Sequence, residues 1–114
     1  MERNVSVFVV VVLILLLVGC ARVPDSQQIK ADLIGHTMGS MVGGWEFVSL
    51  SEFQEFTIND MSRASNIIEY DIEMLLEDID NGKRYRANAL VVYRKTDGKW
   101  QIVSIHQKSF AEDV

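Results

Sequence analysis

Three hydrophobic patterns follow one another along the chain, and the first is an almost continuous apolar run over residues 5–18. About 14 residues at about 1.5 Å each make a helix of roughly 21 Å, which is shorter than the roughly 30 Å hydrocarbon core of a bilayer. The run is therefore typical of the apolar segment of a secretory signal peptide rather than of a membrane-spanning helix.

The second pattern is a short stretch of apolar residues at helical spacing. It predicts a helix over residues 27–38, with Asp25 or Ser26 as the N-cap and with Ile29, Leu33 and either His36 or Thr37 on one face. Three glycines within the next six residues end this helix in a turn or flexible corner. Residues 21–25 contain the only proline of the chain and are expected to form a short tether before the helix.

The third pattern is an alternation of apolar and polar residues, which predicts an antiparallel sheet in the second half of the chain. Asn81-Gly82 is a favoured two-residue hairpin turn, and pairing the chain about it puts Asp80 opposite Lys83. One face then holds four apolar pairs: Leu76 with Ala87, Met74 with Ala89, Ile72 with Val91, and Tyr70 with Tyr93. The other face holds two pairs of opposite charge, which are Glu77 with Arg86 and Glu69 with Arg94.

A second hairpin turn is predicted at Asp97-Gly98. It pairs Thr96 with Lys99 and Arg94 with Gln101. In this register the first face continues through Tyr93, Ile102, Ser104 and His106. The other face collects an apolar patch, which consists of Leu75, Leu90, Val92, Val103 and Ile105. An earlier strand is expected within residues 45–58, and the path of residues 45–66 stays open at this point.

A tight turn followed by a tryptophan closes the predicted sheet, in the segment Tyr93-Arg94-Lys95-Thr96-Asp97-Gly98-Lys99-Trp100. With the helix and strands before it, this segment resembles the cystatin-like and NTF2-like folds over residues 26–110. The resemblance implies an α+β domain over residues 26–114, in which one N-terminal helix packs on a three- or four-stranded antiparallel sheet. It implies no activity, because these folds include enzymes, inhibitors and dimerisation modules.

The amino-terminal apolar run ends in Leu17-Val18-Gly19-Cys20, which resembles the lipobox of bacterial lipoproteins. The resemblance implies that residues 1–19 are a signal peptide, that cleavage occurs before Cys20, and that the Cys20 thiol carries a diacylglyceryl group. Residues 20–25 are then the lipidated cysteine and its tether. Several acyl chains on one residue hold a protein stably on a membrane. An uncleaved N-terminal anchor and a plain secreted protein are the alternatives.

Cysteine usage and charge agree with an exported protein held at a membrane. Cys20 is the only cysteine, so lipidation accounts for a thiol that would otherwise be unpaired in an exported protein. The residue after Cys20 is Ala21 and not Asp. In enteric lipoproteins, a residue other than Asp at this position favours transfer to the outer membrane, where the protein faces the periplasm. The net charge of −5 persists after removal of Glu2 and Arg3, and it argues against nucleic acid as a partner.

Acidic residues on the charged face raise the question of a metal site. Four carboxylates alternate along one strand, at Glu69, Asp71, Glu73 and Glu77. Such an arrangement could bind a hard cation. Three cations are predicted on the same face of the neighbouring strand, at Arg84, Arg86 and Arg94. A charge-paired, solvated face is therefore the better interpretation, and we expect no metal and no cofactor.

Two hypotheses for function follow. The first is a non-enzymatic envelope lipoprotein whose domain binds a protein partner or a second copy through the apolar patch, unless residues 46–58 cover that patch. The second is an NTF2-like domain that binds or converts a small ligand, with a pocket between helix and sheet and with His106 or Tyr70 inside it. We favour the first hypothesis, which a closed core around Tyr70 and Tyr93 would support.

Overall fold

The computed structural model describes residues 22–39 and 43–114, and the predicted signal peptide and lipobox lie outside these residues. Helix α1 covers Ser26–Leu33, and two short strands, β1 at Thr37–Met38 and β2 at Trp45–Glu46, pair with each other. A 3-10 turn at Leu50–Glu52 leads into the main sheet. The main sheet consists of β3 at Phe53–Ala64, β4 at Ile67–Glu77, β5 at Arg84–Thr96 and β6 at Lys99–Glu112. These four strands form an antiparallel meander in the order β3-β4-β5-β6.

The predicted α+β class is wrong, because the fold is mainly β. Strands make up 60% of the described chain, and α1 has 8 residues. The helix was expected to reach Met38, whereas α1 ends at Leu33 because Gly35 adopts a left-handed conformation with φ of 94°. The Gly35 amide then donates to the Phe47 carbonyl at 2.8 Å, which ties the chain to the segment after β2. The expected cystatin-like or NTF2-like architecture is therefore not the fold of this chain.

One face of the main sheet forms the core. The prediction of this face is confirmed for β4 and β5, whose predicted core residues are all buried: Tyr70, Ile72, Met74, Leu76, Ala87, Ala89, Val91 and Tyr93. α1 and the region of β1 and β2 complete the same cluster with Ile29, Leu33, Met38 and Phe47. Burying a large apolar side chain contributes about 1.5–3 kcal/mol, so this cluster makes a large favourable contribution to folding.

The connection between β4 and β5 is longer than predicted. Residues 78–83 form a loop instead of the two-residue turn at Asn81-Gly82. Gly82 has a positive φ of 73°, but Asn81 does not, and a type I′ turn needs two such residues. The predicted pairing is therefore wrong by two residues, so that Leu76 lies opposite Tyr85. An even shift keeps every side chain on its predicted face, which is why the core prediction survives.

The turn between β5 and β6 is the predicted one at Asp97-Gly98. Both residues have a positive φ, 53° and 78°, as a type I′ turn requires. The register next to this turn is confirmed by the pairs of Thr96 with Lys99 and Arg94 with Gln101.

A β-bulge at Val103 interrupts β6 beyond this region. Because the bulge adds one residue to β6, the side chains beyond it exchange faces. Ile105 lies opposite Val91 on the buried face, and His106 lies opposite Leu90 on the other face. Ser104 likewise lies opposite Val92, so the predicted faces of Ser104, Ile105 and His106 are wrong.

The segment before α1 is tied to the sheet. Val23 packs against the core, and Pro24 is buried. The Tyr70 hydroxyl on β4 donates a hydrogen bond of 2.7 Å to the Pro24 carbonyl oxygen. Asp25 caps α1, and its side chain accepts from the Gln28 amide at 2.9 Å. The chain is thus fixed to the sheet from Val23 onward, and among the described residues no helix is long and apolar enough to cross a membrane.

Candidate functional site

The face of the main sheet opposite α1 is the candidate interaction surface, and we call it the open face. It carries the side chains of β4 and β5 that alternate with the core residues. Within residues 22–39 and 43–114, the buried side chains of α1 and of the region of β1 and β2 lie on the other face. Residues 46–58, the alternative cover, run instead into β3 at the edge of the sheet. The described part of the chain therefore leaves the open face uncovered.

Three residues of the predicted apolar patch lie next to one another, and we call them the apolar strip: Leu90, Val92 and Val103. Leu90 and Val92 alternate on β5 and are half-buried. Val103 is the extra residue of the β6 bulge, beside the pair of Val92 with Ser104, and it is 50% exposed. Sequence reasoning missed Ile67, which lies at one end of the open face and is 40% exposed. The alternation along β4 would have identified it.

The other two residues of the predicted patch are not available to a partner. Ile105 lies on the buried face because of the β6 bulge. Leu75 lies on the open face but is only 5% exposed. Glu55 and Arg86 flank it in one row of the sheet and form an ion pair of 3.3 Å across it. The accessible apolar surface is therefore smaller than predicted.

Acidic side chains of β4 are engaged by their neighbours. Asp71 accepts hydrogen bonds from Asn88 Nδ2 at 2.7 Å and from Lys108 Nζ at 2.9 Å. The bond from Asn88, followed by that from Lys108, lowers the pKa of Asp71. Glu77 pairs with Arg84 at 3.1 Å, two positions away from the predicted partner. In the described residues, no three or more His, Cys, Asp or Glu side chains are grouped to hold a metal ion.

The residues of the alternative ligand pocket lie on opposite faces of the sheet. His106 is exposed on the open face. Tyr70 and Tyr93 are buried between α1 and the sheet, where the Tyr93 hydroxyl donates to Asp32 Oδ2 at 2.8 Å. Burial raises the pKa of both tyrosine hydroxyls, so near neutral pH they act as neutral hydrogen-bond donors. The structure therefore separates His106 from Tyr70, and the side chains of both tyrosines are closed off from solvent.

A buried carboxylate that the sequence analysis missed fixes the loop before β3. Glu52 is 3% exposed and accepts from Trp45 Nε1 at 3.0 Å. Its other oxygen accepts from the Val48 and Ser49 amides at 3.0 and 2.9 Å. Glu52 and Ser49 form a capping box, whose Ser-x-x-Glu signature is readable in the sequence. This carboxylate holds the chain in position as it enters the edge strand β3.

The geometry defines a small, mainly β domain with one packed face and one open face. On the open face, the apolar strip lies between polar residues of β4 and β6. Comparison with protein-family models, with curated proteins and with solved structures finds no match to this chain.

Proposed function

We propose that this chain is a non-enzymatic lipoprotein of the bacterial cell envelope, held on a membrane through Cys20, whose open face binds a second copy of the chain. Support for the anchor comes from the apolar run and from Leu17-Val18-Gly19-Cys20. Ala21 after the lipidated cysteine favours the outer membrane, facing the periplasm. Support for the association comes from the apolar strip.

The apolar strip is the observation that carries the proposed association. Leu90 and Val92 lie between Asp71 and Glu69 of β4 on one side and β6 residues such as His106 on the other. A cluster of accessible apolar side chains with a polar rim is typical of an interaction surface. Covering it with a partner removes apolar area from water, at about 25 cal/mol per Å².

The edges of the sheet are less suited to association than the open face. The edge strand β3 is interrupted at Gln54 and Asn59, and the edge strand β6 at Val103 and Lys108. Bulges disrupt the ladder of free amide and carbonyl groups, and so they oppose edge-to-edge pairing with another chain. Contact through the open face is therefore the favoured geometry.

Charges on the open face fit a second copy as the partner. Acidic residues, among them Glu69 and Glu73, lie along β4, whereas the cation Lys108 lies on β6. A twofold axis along β5 brings the two apolar strips together and sets β4 of each copy over β6 of the other. The acidic residues of each β4 then face β6 of the other copy instead of its β4, which favours this pairing over arrangements that set acid against acid.

Intact mass of the membrane-extracted chain tests the proposed anchor. A lipoprotein has the mass of residues 20–114 plus its acyl groups. The Cys20→Ala variant should carry no acyl group and should retain residues 1–19. An unprocessed mass for the unaltered chain would show that residues 5–18 remain as the anchor, and it would rule out lipidation.

Thiol cross-linking in membranes tests the proposed association. In the lipidated chain the Cys20 thiol is blocked, so a Val103→Cys variant has one free thiol, which lies within the apolar strip. We expect a bifunctional maleimide to convert the Val103→Cys variant into covalent dimers. The Gln27→Cys variant, whose thiol lies on the exposed side of α1, should stay monomeric. Adding Leu90→Asp should abolish the dimer without unfolding the domain. Equal yields from the two thiols, or a dimer that persists with Leu90→Asp, would exclude the open face as the interface.

A further inference from the structure

The chain enters the folded domain at one end of the main sheet, which we call the basic end. The β3–β4 and β5–β6 turns lie there, and the Lys95 amide joins them by donating to the Asn66 carbonyl at 2.7 Å. The segment before α1 reaches the same end, since Arg22 lines a cleft together with Lys99 and Trp100. The β4–β5 loop lies at the opposite end of the sheet.

Charge is distributed unevenly between the two ends. Five cations lie at the basic end: Arg22, Arg63, Arg94, Lys95 and Lys99. Four carboxylates lie near them: Asp25, Asp32, Glu69 and Asp97. The chain as a whole has a net charge of −5, so the remainder of the domain is strongly acidic. The positive charge is therefore concentrated where the chain enters the fold.

These cations do not stabilise the fold through ion pairs. In the part of the chain that the structure describes, the cations in ion pairs are Arg84, Arg86 and Lys108. Arg63 and Lys95 instead lie over the ring of Trp100, at 5.4 and 5.8 Å from its centroid. Trp100 itself packs against the core and its indole nitrogen is buried, so the cations are the groups that this end offers to a charged surface.

The proposed anchor immediately precedes the basic end. Val23 is packed against the core, and Cys20 lies three residues before it. Three extended residues span at most about 11 Å. This reach is comparable with the Debye length of about 8 Å at physiological ionic strength, so a charged membrane surface is within electrostatic range of the basic end.

We propose that the basic end docks on anionic phospholipid headgroups of the membrane that holds Cys20. The inference rests on the lipid anchor proposed above. Charge complementarity selects the occupant, because five cations face the surface to which the chain is tied, and the acidic remainder of the domain is repelled from it. Each Lys or Arg held near an anionic leaflet strengthens such docking about fivefold.

Position-sensitive labels on the full lipidated chain test this docking. The chain is reconstituted in vesicles of phosphatidylcholine alone or of an equal mixture with phosphatidylglycerol, both containing a headgroup-attached quencher. A Thr96→Cys variant carries a fluorophore at the basic end, and an Asn81→Cys variant carries it at the opposite end; both positions are exposed. We expect stronger quenching at position 96 in the anionic vesicles, its reversal by added salt, and no such increase at position 81.

Two matched double variants separate the basic end from general charge effects. Arg94→Gln with Lys99→Gln removes two exposed cations from the basic end. Lys83→Gln with Arg84→Gln removes the same residue types, also exposed, from the opposite end. We expect the first pair to lower the docking equilibrium constant about 25-fold and the second pair to leave it unchanged.

Equal quenching in the two kinds of vesicle, or equal effects of the two double variants, would overturn the docking proposal. Intact mass of the same preparation distinguishes this failure from failure of the anchor. An acylated chain whose quenching does not change with phosphatidylglycerol refutes the docking alone. A chain without acyl groups refutes the anchor and the docking together.

Discussion

Glu52 stands at the entry to the main sheet, with its carboxylate shared by Trp45 Nε1 and the Val48 and Ser49 amides. Replacing it with alanine leaves partly buried donors without an acceptor. We expect Glu52→Ala to lower the free energy of unfolding by about 2 kcal/mol, measured by urea denaturation of the full chain in detergent. Glu46→Ala, at an exposed position of β2, should change it by less than about 0.5 kcal/mol. Equal losses in the two variants would contradict the role assigned to Glu52.

Tyr93 makes the domain sensitive to alkaline pH. Burial, followed by the hydrogen bond to Asp32, raises the pKa of Tyr93 in the folded state above its ordinary value of 10.0. The folded chain therefore holds the phenolic proton more tightly than the unfolded chain, and stability is lost as the pH rises above about 10. Tyr93 alone adds up to about 1.4 kcal/mol per pH unit to this loss. Urea denaturation at several alkaline pH values should show a shallower decline for Tyr93→Phe, and parallel curves would refute the assignment.

At the scale of elements, the β5–β6 hairpin depends on a left-handed residue that is not glycine. Asp97 has φ of 53°, a conformation that costs an ordinary L-residue about 1–2 kcal/mol but that Asn tolerates. We expect Asp97→Val to lower the free energy of unfolding by about 1–2 kcal/mol and Asp97→Asn to leave it nearly unchanged. Thermal unfolding followed by circular dichroism compares the two variants. An equal loss for Val and Asn would show that the turn conformation is not the cause.

Alternation along β4 and β5 was sufficient to predict the core, because a side-chain period of two identifies the faces without fixing the register. The register itself depended on the conformation of residues 78–83, which the Asn81-Gly82 dipeptide did not determine. The helix was predicted too long because the spacing of Ile29 and Leu33 fits a helix of two turns as well as a longer helix. The wrong fold class has a separate cause, since it followed from the resemblance to cystatin-like and NTF2-like folds, whereas strands make up 60% of the described chain.

The candidate site was predictable only in part, because its remaining features depend on how the strands pair and not on the types of residue in them. Leu90 and Val92 follow from the alternation of β5. A bulge depends on how a strand pairs, and nothing in the residue types around Val103 distinguishes it, so the face of Ile105 was predicted wrongly. The burial of Leu75 depends on an ion pair between residues 55 and 86, which are far apart in the sequence.

At the scale of the whole molecule, the proposed anchor, the basic end and the open face imply one orientation. The basic end is the end of the sheet where two turns connect neighbouring strands. Docking through this end directs the strands away from the membrane surface. The open face then points sideways, toward other copies anchored in the same leaflet. Confinement of both copies to one surface raises their effective concentration, so a small apolar strip can support a dimer in the membrane.

Association through sideways-facing surfaces depends on the density of the protein in the membrane. We expect the cross-linking yield of Val103→Cys to fall when proteoliposomes are fused with protein-free lipid, because fusion dilutes the copies within the surface. Diluting the same vesicles with buffer should leave the yield unchanged, since the surface density stays constant. The Leu90→Asp background sets the yield of random encounters. A yield that follows buffer dilution but not lipid dilution would mean that the contacts join different vesicles, which the proposed orientation does not allow.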